Sequence, residues 1–120
     1  MLFRSGRQVD LERLIQVMGE EPEEQAEIIG VYLDQMAANL TKLEGAVATR
    51  NSSEISFILH NCIGTSANCG MVAVLDPLRQ LETQSRENRF ADGPSLLSKI
   101  NGEFDRVRNF LQEHLSMATV

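Results

Sequence analysis

Ile58-Leu59-His60-Asn61-Cys62-Ile63-Gly64-Thr65-Ser66-Ala67-Asn68-Cys69-Gly70 is the stretch on which the fold turns. Taken as one helix, it advances about 100° per residue. With His60 set at zero, Gly64 falls near about +40°, Ala67 near about −20°, Ser56 near about −40°, Phe57 near about +60° and Ile63 near about −60°. Ile55, Ile58, Cys62, Thr65, Ser66 and Cys69 gather within about 60° of the opposite side. A packed core takes that second set and leaves His60 facing out. Around the histidine lie a glycine one turn on, an alanine two turns on and two bare apolar side chains, Phe57 and Ile63. A histidine on ground this low is within reach of another protein's active site.

Working outward, this helix starts at Asn51, with Glu54 three residues later as in a capping box, and ends where Gly70 takes the left-handed conformation. Before it, Asp10 caps a short helix over about 11–18, whose apolar stripe is Leu11, Leu14, Ile15 and Met18 and whose stop is Gly19. Pro22 suits the first turn of a long second helix, with Glu23, Glu24 and Glu27 near its positive end. That helix runs to about Thr49 with Ile28 or Ile29, Tyr32 or Leu33, Met36, Leu40, Leu43 and Val47 inward. Gly30 and Gly45 weaken it by up to about 1 kcal/mol each, a cost that close packing of another chain segment would offset.

After Gly70 the pattern is less regular. Val72, Leu75, Leu78 and Leu81 suit a helix, but Pro77 removes an interior hydrogen bond. Asp76 and Pro77 therefore read as N-cap and first residue of a fourth helix, after a separate turn over 71–75; one continuous helix kinked at Pro77 is the other possibility. Residues 88–93 form a polar connection. Pro94 opens a last helix to about Leu115, with Leu97, Ile100 or Asn101, Phe104, Val107 or Arg108, and Leu111 inward. No strand alternation, repeat or low-complexity stretch appears. The expected fold is all-α: an antiparallel up-down-up-down four-helix bundle with a short extra N-terminal helix, residues 9–118 forming one domain behind a flexible lead-in over 1–8.

Composition agrees. The chain of 120 residues, 42% apolar and 5% aromatic with no Trp, is long enough to bury a core without staples. A formal charge of −6 argues against a nucleic-acid partner, which needs clustered Lys and Arg. No run of about 18 apolar residues offers a membrane span, and the start lacks a signal-peptide core. A cytoplasmic protein is expected. Cys62 and Cys69, seven residues apart on one helix, place their Cα atoms about 10 Å apart, beyond the reach of about 7 Å for a disulfide. Both read as buried, reduced fillers. Two thiols do not complete a tetrahedral zinc site, and no Glu-x-x-His pair occurs for a metal-carrying bundle.

The residues His60, Gly64, Thr65 and Gly70, at these spacings, with Leu81-Glu82 further on, resemble the histidine-phosphotransfer (HPt) domains of bacterial phosphorelays. There the pattern is His, any residue, Leu, Lys, Gly, Ser or Thr, four more residues, then Gly. Cys62 stands where the leucine is usual, a mild change. Ile63 stands where the lysine is usual, which removes a positive charge beside the phosphoryl oxygens; Arg79 and Arg86 on the next helix are the candidates to replace it. The resemblance implies an antiparallel four-helix bundle with the phosphorylated histidine halfway along one helix.

It also implies a function. His60 is the phosphoryl acceptor, taking phosphate from a receiver-domain aspartate and passing it to another receiver. Ser56, Phe57, Ile63, Gly64 and Ala67 form the docking ground. The chemistry agrees, because phosphoryl transfer demands mainly in-line positioning and charge neutralisation, so a carrier needs an exposed ring and clearance. The chain reads as a phosphocarrier, not an enzyme, with no nucleotide site or cofactor of its own; Mg²⁺ comes with the receiver. Expected partners are a response-regulator receiver domain or a hybrid sensor kinase, with no nucleic acid and no membrane. A monomer is expected, and the initial Met with no linker leans toward a free-standing protein. The rival is a binding module that grips a partner through Phe57, Ile63, Gly64 and Ala67 without phosphate. His114, close to a helix C-terminus, complements the helix dipole.

Overall fold

Asp10 starts the first helix, α1 (Leu11–Met18), by accepting the Arg13 backbone N–H, and Gly19 at φ 79° ends it. The computed structural model describes residues 9–118, so the expected lead-in over residues 1–8 lies outside the described residues. α2 (Pro22–Ala48) follows, with proline in its first turn, where the missing N–H costs no intrahelical bond. Its inward stripe is Ile29, Tyr32, Met36, Leu40, Leu43 and Val47, which settles the two alternatives: Ile28 and Leu33 are only half-buried at the core's edge.

α3 (Ser52–Asn68) begins three residues after α2, with the Asn51 side chain accepting the Glu54 N–H at 3.1 Å. Its far end closes as a Schellman motif. Gly70 N–H donates to the Ala67 carbonyl, Met71 N–H to the Ser66 carbonyl, and Gly70 sits at φ 78°. A 3₁₀ turn (Val72–Val74) leads into α4 (Leu75–Arg86). The separate turn is as expected. The start is not: α4 begins before Asp76, with Pro77 as its third residue. The expected boundary assumed Pro must come first, but every N–H of a first turn lacks an intrahelical acceptor, so Pro77 fits there equally well. α5 (Gly93–Ala118) takes Leu97, Ile100, Phe104, Val107 and Leu111 into the core, while Asn101 stays at the surface.

All five helices, with no strand among the described residues, share one core cluster. α3 packs between α2 and α4, and α5 packs against the same two helices. Inside, Tyr32 meets Phe104 edge-on at 6.5 Å, Arg108 lies over the Phe104 ring, and the Tyr32 hydroxyl pairs with the Ser66 hydroxyl at 2.9 Å. Tyr32 precedes the α2–α3 connection by about as many residues as Ser66 follows it, so these two helices form a hairpin running side by side.

Two packing expectations fail. Leu11 and Ile15 remain 37% exposed, because α1 is short and lies at the edge, burying only Leu14 and Met18. Nothing lies within 4 Å of a Cβ built at Gly30 or Gly45, so no close approach offsets the helix penalty of either. His114 also has a use that its sequence position did not reveal. Its Nε2 pairs with Oε1 of buried Gln25, whose amide donates to the Gly19 carbonyl, fastening α5 to the start of α2.

Gly70 is where the ends of α1 and α3 meet. Asp10 N–H donates to its carbonyl at 2.7 Å, and Arg13 reaches both the carbonyl and the side-chain oxygen of Asn68. A Cβ at Gly70 would stand 2.7 Å from the Asp10 carbonyl oxygen, on a backbone already at positive φ. Gly70→Ala is expected to lower stability by about 1–3 kcal/mol, read as a fall in urea midpoint at unchanged slope. A midpoint equal to wild type would show that the contact relaxes freely.

Candidate functional site

The middle of α3 presents two opposed faces. Ile55, Ile58, Leu59, Cys62 and Ser66 are buried, and Cys69 closes the row just past the helix. His60, Ser56, Gly64 and Ala67 are exposed, and Phe57 is 70% exposed, the most of any large apolar residue described. The expected split of the helix therefore holds with two adjustments. Ile63 is half-buried against the core, so Phe57 is the one bare apolar side chain beside the histidine. Thr65, placed with the core by angle, is half-buried and lines a groove at the α2 side.

Clearance is the main property of this face. Nothing lies within 4 Å of a Cβ built at Gly64. Helical side chains lean toward the N-terminus and cover the preceding turn. A side chain at 64 would therefore lie over position 60, and its absence leaves the imidazole uncovered. The rod beneath is fixed by the buried row and by the Tyr32–Ser66 hydrogen bond, so the ring sits on a backbone with little freedom to move.

Two grooves run along α3, one on either side, and reach the neighbours Ser56 and Asn61 of the histidine. On the α4 side, a groove of about 430 Å³ is lined by Ser52, Ser53, Ser56, Glu82, Ser85 and Arg86, and Arg86 is paired with Glu82 at 3.3 Å. On the α2 side, a groove of about 390 Å³ is lined by Gln35, Ala38, Asn39, Lys42, Asn61 and Thr65. Arg79, the other sequence candidate for a compensating charge, lines neither; it faces a depression with Asp76, Gln80 and Arg89. The polar residues of α2 beside this face were not foreseen. Their signal was present as the polar positions Gln35, Asn39 and Lys42 at helical spacing, but which neighbour that face met is a matter of packing.

The two cysteines take no part. Burial pushes the Cys62 thiol up to about 11 and raises Cys69 as well, so both are protonated thiols at neutral pH, and both are unpaired. Burial likewise raises Tyr32, although its hydrogen bond to Ser66 pulls the other way. His60 thus stands on this face as its exposed imidazole.

An all-helical molecule with an exposed histidine at mid-helix, cleared by a glycine one turn on, is the build of a phosphate-carrying helical domain. The family model "Hpt domain" matches residues 27–110, most of the described chain from α2 through α5, and the chain belongs to that family. Hpt-family proteins are phosphocarriers rather than enzymes, working with the receiver domains and kinases of two-component phosphorelays. Among solved structures the fold is similar to histidine-containing phosphotransfer protein B from Pseudomonas aeruginosa PAO1. That match has a TM-score of 0.83 at 19% identity, covering 92% of this chain and 96% of that one. It is also similar to a putative histidine-containing phosphotransfer protein from rice, with a TM-score of 0.83 at 18% identity, covering 98% and 86%. No curated protein sequence matches the chain. No helix among the described residues is long and apolar enough to cross a membrane.

Proposed function

We propose that His60 is a phosphorelay station, accepting a phosphoryl group from a receiver-domain aspartate and donating it to the aspartate of another receiver. The observation that carries this reading is the uncovered imidazole at mid-α3 with open space over Gly64. A ring nitrogen's lone pair attacks phosphorus in line, the N–P bond forms, and the acyl P–O bond breaks with its electron pair returning to the carboxylate. The proton on the other ring nitrogen leaves to water. The return step reverses these changes. The magnesium ion and the aspartate belong to the receiver, and this chain supplies the ring, the clearance and the approach. The host is an antiparallel up-down-up-down four-helix bundle, monomeric and cytoplasmic, to which α1 is added outside the family match.

Ser56, Phe57, Gly64, Ala67 and the exposed edge of Ile63 form the proposed docking ground. Phe57 is the anchor, since a solvent-exposed aromatic side chain supplies large apolar area at small entropic cost. Phe57→Ala is expected to weaken receiver binding about tenfold in a titration, with thermal stability unchanged because the ring buries little in the free protein. Unchanged affinity would remove Phe57 from the interface.

The half-buried Ile63, apolar where the resembled family carries lysine, favours one second reading: a binding module that docks a receiver or kinase without phosphotransfer. Incubation with a phosphorylated receiver separates the two. Acid-labile, alkali-stable phosphate on the wild-type chain supports the relay. A stable complex with no phosphate on the chain supports the module.

A further inference from the structure

We propose that Lys42, on α2, supplies the positive charge that faces the phosphoryl oxygens on His60. The inference rests on the relay reading above and adds a residue to it. Position 63 offers no charge; Arg86, which lines the groove on the α4 side, is already paired with Glu82, and Arg79 lines a separate depression with Asp76 and Arg89. Over that flank the two charges largely cancel. On the other flank, Lys42 lines the same groove as Asn61, the residue after His60, and it forms no ion pair among the described residues.

Register places it at the right height. The Ser66 hydroxyl lies between Tyr32 and Met36, at 2.9 Å from the Tyr32 oxygen and 3.8 Å from the Met36 sulfur. Because α2 and α3 run in opposite directions there, moving back along α3 to His60 corresponds to moving forward along α2 to about position 40. Lys42 stands roughly half a turn beyond, about 3 Å along the axis. The four-carbon stem of lysine gives its ammonium freedom to swing toward a phosphate, as a point charge rather than a fixed fork. Gln35, Asn39 and Asn61 add neutral amides to the groove and no competing carboxylate lines it. An ammonium there favours the dianionic phosphoryl group and so offsets charge that would otherwise repel the aspartate of the incoming receiver.

The test phosphorylates the full chain with phosphoramidate, a donor too small to need a docking surface, and follows the phosphohistidine by ³¹P NMR. In wild type the phosphoryl group loses its last proton at a lower pH than in Lys42→Met, with an expected shift of about half a pH unit or more. The phosphoramidate reaction slows about fivefold in Lys42→Met, is restored by Lys42→Arg, and is unaffected by Lys99→Met on α5. Lys42 is exposed on a helix, so these variants keep the fold, which circular dichroism checks. An unchanged titration midpoint overturns the proposal. So does a loss seen only with a receiver donor, which would make Lys42 a partner contact rather than a phosphate contact. Phosphate uptake by His60→Gln equal to wild type takes down the parent reading first, and this inference with it.

Discussion

His60→Gln is expected to accept no phosphate from an active receiver, while melting at the wild-type temperature. The size of the effect follows from the proposed relay: in it the imidazole lone pair is the bond-forming group, and no neighbouring side chain among the described residues replaces it. Cys62 and Cys69 are buried and protonated at neutral pH, and His114 lies on α5, paired with Gln25 of α2. Glutamine keeps the hydrogen-bonding size of the side chain but lacks a nucleophilic nitrogen. Because position 60 is exposed, its replacement leaves the core untouched and stability within about 0.5 kcal/mol. Radiolabel transfer followed by acid and alkali treatment reads the result. Acid-labile phosphate on the variant would show that the acceptor lies elsewhere.

Gly64 carries the second large effect, and here stability and function are expected to move in opposite directions. Gly64→Gln adds a side chain that leans over position 60 and fills the space from which, in the proposed relay, the donor phosphorus approaches. Misplacing the donor by about 1 Å costs about a hundredfold in rate, so transfer is expected to fall at least that far. The same change replaces glycine in the interior of an exposed helix position where a Cβ meets nothing, so the protein gains up to about 1 kcal/mol. A melting temperature a few degrees higher together with slow transfer would identify Gly64 as a concession to access. Fast transfer in a more stable variant would mean that the receiver does not approach over this turn. Phosphoramidate serves as the internal comparison, since a small donor is hindered less than a folded one.

The apolar period of α2 and α5, the Asn51 cap and the Gly70 stop were all visible in the chain, because helix stripes and caps are local: their causes lie within a few residues. The same holds for the outward direction of His60, which needed only the angular placement of Ile55, Ile58, Cys62 and Ser66. Apart from the start of α4, where the cause was local, the reading went astray where the deciding partner was distant in sequence. Leu11 and Ile15 have the pattern of a buried stripe, yet α1 lies at the edge and finds cover for only Leu14 and Met18. Ile63 sits at the border of the exposed face, and it is the neighbouring core that draws it half under.

The amino-acid order by itself determined the helices, the rod that carries His60 and the absence of any side chain over it at position 64, since each depends on spacing along one helix. Only the packing of helix on helix decided what stands beside that rod. It set Lys42 and two amides of α2 along one flank and a neutralised Arg86 along the other. The physical reason is that a helix's period states which residues share a face, whereas the identity of the facing neighbour depends on register and on which grooves the side chains fill.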